Sequence, residues 1–173
     1  MRNKKSTAIK ILEQLATEAA HKKNPKLPIE WLAPRTFNDY SANALTKCVI
    51  EYIKLKGYQA ERISTTGRFI KNEKVVSDVL GRNRVIGNNK YIPGTGTKGS
   101  ADIPGTGTKG SADISATIYG RSVKIEIKYG KDRQSEYQKS YQADVERAGG
   151  IYLIVRTFQD FFNWYQDFIN KLA

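Results

Sequence analysis

Histidine and cysteine each occur once in the 173 residues, as His21 and Cys48. One cysteine excludes an internal disulfide and a cysteine-built zinc site, and it suits a reducing compartment. One histidine excludes a zinc centre assembled from imidazoles. Long apolar runs are also missing. No segment is long enough to cross a bilayer, and the basic N-terminus has no apolar stretch behind it, so a cytoplasmic protein with no membrane partner is expected. Negative charge is scarce: 17 Asp and Glu stand against 29 Lys and Arg, a net charge of +12. Such an excess favours polyanionic partners, because bound phosphates release counterions, although a merely basic surface has the same composition. The length fits one domain with an appendage.

What is present includes a repetition. The stretch IPGTGTKGSAD, residues 92–102, recurs letter for letter as residues 103–113. Each copy contains Gly-x-Gly-x-x-Gly and ends in an aspartate, Asp102 or Asp113. A dinucleotide fingerprint must follow a strand and open a helix. Here the second copy runs into an alternating, β-branched strand instead. The phosphate-loop pattern fails as well, because lysine precedes the last glycine. Two short copies are too few for a solenoid. A duplicated loop insertion is the plain account.

The remaining pattern predicts an α/β fold, a mixed β-sheet flanked by helices. Residues 1–40 read as a basic N-terminal helical arm, capped at Ser6 or Thr7, followed by a linker with prolines at 25, 28 and 34. Residues 41–173 read as the main domain. Leu45, Cys48, Val49, Tyr52 and Ile53 form a helical stripe closed by Gly57. GYQAERIS reads as a strand, and residues 66–91 as an excursion carried outside the core. DISATIYGRSVKIEIK predicts a β-hairpin with Gly120-Arg121 as a type II′ turn. SEYQKSYQADVERAGG predicts a helix, IYLIVR a strand buried on both faces, and the aromatic segment from Phe158 a last helix.

On that hairpin, alternation groups Lys124, Glu126 and Lys128 on one face and Val123, Ile125 and Ile127 on the other. With Gly120-Arg121 as the turn, Asp113 faces Lys128, Ser115 faces Glu126, and Asp113 is a diagonal neighbour of Glu126. Two carboxylates so placed suit a hard divalent cation such as Mg²⁺ or Mn²⁺. A lysine beside them would neutralise charge developing on a phosphate. The spacing alone is short and frequent, and a surface salt-bridge patch has the same pattern.

An aspartate on one core strand, Glu-x-Lys on the next, then a helix and an apolar strand resemble the PD-(D/E)XK nuclease superfamily and its restriction-endonuclease-like core. GSADI, KIEIK, the SEYQ helix start and ERAGGIYLIVR resemble more closely its VRR-NUC (virus-type replication-repair nuclease) family, over roughly residues 41–157. The resemblance implies that Asp113, Glu126 and the carbonyl of Ile127 hold the metal, and that Lys128 is the catalytic lysine. It gives Gln138 a place at the edge of the site. Gln138 also completes a capping box with Ser135, and the two roles are compatible. Many relatives carry an acidic residue on the first core helix. Glu51 is the carboxylate available there, off the apolar stripe.

The reading is therefore a Mg²⁺- or Mn²⁺-dependent deoxyribonuclease of replication, repair or recombination, with DNA as partner and Lys98, Lys109, Lys131 and Arg133 as backbone contacts. A homodimer is the assembly that paired cuts at a junction would require. A non-catalytic nucleic-acid-binding module on the same fold is the alternative. The aromatic C-terminal helix also suits a partner-binding protein, unless it covers the sheet.

Overall fold

The computed structural model describes residues 5–63, 68–71, 73–77, 81–87, 89–92 and 110–172. All of the first copy of the repeat but Ile92, and all but the last four residues of the second, lie outside this set, and with them Asp102, Lys98 and Lys109.

Four strands build the main sheet, in the order β1 (Gln59–Arg62), β6 (Ile114–Ile118), β7 (Arg121–Ile127), β8 (Ile151–Val155). The first three are mutually antiparallel, and β8 lies parallel to β7. A parallel neighbour needs a crossover, and helix α3 (Glu136–Arg147) supplies it. The expected mixed sheet flanked by helices is what forms.

The sheet's two faces follow from alternation. Ile114, Ala116, Ile118, Val123, Ile125 and Ile127 are buried on one side. Against this side pack α2 (Ala42–Leu55) and α4 (Phe158–Asn170), and α1 (Thr7–Lys23) packs on these two helices in the same continuous core. The α2 stripe, Leu45, Cys48, Val49, Tyr52 and Ile53, is wholly buried. Tyr52 is the hub of the aromatic packing, meeting Phe158, Phe161, Phe162 and Tyr165 edge-on at centroid distances of 5.1 to 6.0 Å, a geometry that aligns ring edges with ring faces. The aromatic face of α4 therefore covers the sheet. Cys48 is fully enclosed, its thiol donating to the Asn38 carbonyl at 3.2 Å, and burial pushes it up to about 12.

Helix α1, capped by Ser6, places Ala8, Ile9, Leu12 and Ala16 in the same core. Its Glu13 carboxylate accepts from the Phe37 N–H at 2.7 Å, and Asp39 accepts from the Phe158 N–H at 3.0 Å. The end of the connection between α1 and α2 is thus tied to α1 and to α4. Between α1, this connection and α2 lies a cleft of about 610 Å³, and Glu51 lines it. Among the described residues, no helix is long and apolar enough to cross a membrane.

Two details of the sheet differ from expectation. The hairpin turns at Tyr119-Gly120, with φ of +49° and +73°, and positive φ at both central positions is the type I′ signature. Ile118 consequently faces Arg121, Ser115 faces Lys124 and Ile114 faces Ile125. The register with Gly120-Arg121 as the turn, and the facing pairs Asp113 with Lys128 and Ser115 with Glu126, are therefore corrected by two residues. A slip of two keeps every side chain on its own face, so the hydrophobic pattern cannot distinguish the registers. The ring of Tyr119, packed 4.9 Å from that of Tyr58, accompanies the turn that forms. The second difference is β8, which is not buried on both faces. It lies at the sheet edge, and Ile154 is exposed because α3 covers the polar face only in part.

Candidate metal centre on the polar face of the sheet

Because β7 alternates, Lys124, Glu126 and Lys128 project opposite to the helical core. Extending the observed register brings Asp113 directly opposite Glu126, closer than the diagonal expected. Asp113 ends the loop before β6, and its Oδ2 accepts from the Ile127 N–H at 3.0 Å. Its own carbonyl accepts from the Ile63 N–H at 2.8 Å. The side chain and the backbone of Asp113 are thus fastened to two different strands.

Glu126 and Lys128 are almost completely enclosed, 2% and 4% exposed. Lys128 Nζ lies 3.0 Å from Glu126 Oε1, 3.0 Å from Gln138 Oε1 and 3.3 Å from Asp132 Oδ2. The Gln138 amide donates to Glu126 Oε1. Gln138 also accepts from the Ser135 N–H at 3.0 Å, and Ser135 Oγ accepts from the Gln138 N–H at 3.3 Å. The capping box that starts α3 therefore aims Gln138 at Glu126 and Lys128, and both of its expected roles coexist in one rotamer.

Burial pushes the Glu126 carboxyl above its usual range, and the Lys128 ammonium offsets only part of that. Burial alone would lower Lys128, but the hydrogen bond and charge of Glu126, with those of Asp132, carry it above the ordinary lysine value. Lys128 is accordingly a fixed cation. It is a poor proton acceptor at neutral pH and a good charge neutraliser.

A second line of polar residues runs beside the first. Glu61, Ser115, Lys124 and Tyr152 are successive partners across β1, β6, β7 and β8. Lys124 donates to Ser115 Oγ at 2.6 Å. Burial lowers its pKa while the Glu61 charge opposes the shift. The Tyr152 phenol, packed 6.2 Å from the ring of Tyr141 on α3, is pushed up to about 12 by burial and by the Glu126 charge. Sequence patterning gave no sign of Tyr152, which reads there as one more apolar residue of a core strand.

Two buried side-chain atoms have no hydrogen-bond partner among the described residues: Glu126 Oε2 and Ser111 Oγ. They belong to or adjoin this one face, Ser111 lying two residues before Asp113. Buried polar atoms of this kind cost on the order of 1–3 kcal/mol each unless something satisfies them. The charge of the face is also unbalanced. Around Glu126, the carboxylates of Asp113, Glu126 and Asp132 outnumber the one ammonium, Lys128, in a chain whose net charge is +12. A hard divalent cation with oxygen ligands fits both the unsatisfied carboxylate oxygen and the charge. Among the described residues there is no cluster of three or more acidic, histidine or cysteine ligands.

Two residues position the segments on either side of the site. Gly110 adopts φ +88°, and a Cβ on it would lie 2.5 Å from the backbone carbon and oxygen of Tyr137 and 2.9 Å from the Gln138 nitrogen. The end of the second copy, at Gly110, is thereby seated on the first turn of α3, next to Gln138. Arg156 donates to the carbonyls of Gly130 and Asp132 at 3.4 and 3.3 Å, which braces the turn after Lys128. Lys131 and Arg133 are exposed on that same segment. Glu51 is not brought to this site: it lines the cleft beside α1, on the helical side of the sheet.

Comparison of the chain with protein-family models, with curated proteins and with solved structures gives no match in any of the three.

Proposed function

We propose that this chain is a metal-dependent deoxyribonuclease with a PD-(D/E)XK core, of the kind its motifs resemble in the VRR-NUC family. The observation that carries the reading is Glu126: a buried carboxylate, gripped through Oε1 by Lys128 and Gln138, with Oε2 buried and without a donor among the described residues, facing Asp113. A structural salt bridge has no need of the second carboxylate or the unsatisfied oxygen.

In this reading Asp113, Glu126 and the Ile127 carbonyl hold Mg²⁺ or Mn²⁺. Held there, such a cation would supply polarisation of a phosphodiester and a lowered pKa for an attacking water. The chain's own residues do the rest. Lys128, held cationic by Glu126 and Asp132, neutralises charge that develops on the phosphate. Gln138 keeps Lys128 and Glu126 in fixed orientation, so that neither has to reorganise during the reaction. The Asp113 hydrogen bond to the Ile127 N–H fixes the distance between β6 and β7 at the site. Lys131 and Arg133 are placed to meet the phosphate backbone.

The test is cleavage of linear and branched DNAs with Mg²⁺ or Mn²⁺ by the wild type, Asp113→Asn and Glu126→Gln. Metal-dependent cutting, reduced in either variant by about 10²-fold or more, is expected, since several kcal/mol of transition-state stabilisation is removed. Undiminished cutting by Asp113→Asn would remove the second aspartate of the repeat from the site. Binding of every DNA without cleavage would leave a non-catalytic nucleic-acid-binding module on this fold.

A further inference from the structure

The residues between β1 and the repeat form an element that the metal site does not use. Strand β2 (Arg68–Lys71) pairs with β5 (Asn89–Ile92), and β3 (Lys74–Ser77) pairs with β4 (Asn83–Ile86). One antiparallel register runs through both pairs. Lys71 faces Asn89, and three residues further along each strand Lys74 faces Ile86. The two pairs therefore keep one register, as successive two-stranded segments formed by residues 68–71 with 89–92 and 74–77 with 83–86. Neither segment is hydrogen bonded into the four-stranded sheet.

Every residue of β3 and β4 is exposed, the facing pair Val75 and Val85 by 67% and 64%. An isolated hairpin is only marginally stable in water. A long one with no core beneath β3 and β4 gains little from its own burial, and its composition indicates what it meets instead. Residues 68–92 carry Arg68, Lys71, Lys74, Arg82, Arg84 and Lys90 against Glu73 and Asp78, a net charge of +4. Alternation puts Lys74 and Arg84 on one face of the outer segment, beside Val76 and Ile86.

A polyanion with a groove of ribbon width matches these properties. The B-form major groove, about 12 Å wide, admits a two-stranded ribbon and displays thymine methyl groups to apolar side chains. The deep, narrow major groove of duplex RNA excludes one. We propose that the ribbon formed by β2 to β5 is a DNA-binding arm that enters the major groove of duplex DNA, with Lys74 and Arg84 on the face that meets it. The proposal rests on the reading of DNA as substrate and adds that a duplex segment is part of what is recognised.

The test is fluorescence anisotropy of a labelled duplex in EDTA, where no cutting occurs, over a range of salt concentrations. The full chain is compared with Lys74→Ala/Arg84→Ala and with a chain in which two glycines replace residues 74–86. Melting temperature reports that the core is intact in each. Loss of two phosphate contacts is expected to weaken binding by about tenfold and to lower the slope of log K against log salt by about 2. Unchanged affinity and slope in the double variant would overturn the arm. So would full affinity in the shortened chain, an equal effect on duplex RNA, or a wild type that binds no duplex. Cleavage is read separately with Mn²⁺. Weakened variants with a wild type that never cuts would keep the arm and sink the nuclease. A wild type that cuts, with variants that bind normally, would sink only the arm.

Discussion

At Glu126 the two carboxylate oxygens have different surroundings, and that asymmetry was not legible in the sequence. The letters of GSADI and KIEIK bring Asp113, Glu126 and Lys128 to one face through simple alternation, and Ser135-x-x-Gln138 announces its own helix start. Those residues could be singled out because their spacing is local. Tyr152 and Asp132 could not, since they reach the face only through a crossover and a turn whose course no local rule fixes. Gly110 belongs with them. In sequence it is one of six glycines in a repeat, and only the structure shows it pressed against Tyr137. Gly110→Ala is expected to destabilise the fold by about 1–3 kcal/mol through overpacking and positive φ. The melting temperature would fall by about 2–4 °C for each of these kcal/mol. An unchanged melt would mean that the start of α3 is not seated on this glycine.

Among the elements, α3 shows how local chemistry sets up a distant contact. It buries no residue completely, so packing alone does not hold its first turn. The Ser135 cap does, and the same turn carries Gln138 to Glu126 and Lys128. Ser135→Ala is expected to cost about 0.5–2 kcal/mol in chemical denaturation. It should also lower cleavage more than a surface substitution of equal cost, because Gln138 loses its anchor. Equal stability losses with unequal activity would locate the effect in orientation. The elements themselves were readable: helix stripes, alternating strands and caps gave the order of α2, β1, the β6–β7 hairpin, α3, β8 and α4. The hairpin register was not, because Tyr119-Gly120 and Gly120-Arg121 turns leave identical faces. Nor was the exposure of β8, which depends on how much of a face one helix covers.

For the whole molecule, the informative feature is the continuity of the core from α1 to α4. Leu12 is fully buried there together with Leu45, Val49 and Phe161. Leu12→Ala is therefore expected to destabilise the entire fold by about 2–5 kcal/mol, the range for a buried leucine, in a single cooperative transition seen by both near- and far-ultraviolet circular dichroism. A small or biphasic change would instead mark α1 as an arm that unfolds on its own. Helix α1 looked peripheral in sequence because prolines and a basic run separate it from the rest. Its apolar stripe found the core nevertheless, with Glu13 and Asp39 tying down the connection.

Cys48 sits at the centre of that core, bonded to the Asn38 carbonyl and with its thiol held neutral. It is the only sulfhydryl in the chain, and a thiolate is the form that alkylating reagents attack. The molecule thus carries a built-in chemical stopwatch. Every modification event at this one atom records a moment when the core came apart, and the labelling rate counts those openings without any engineered reporter.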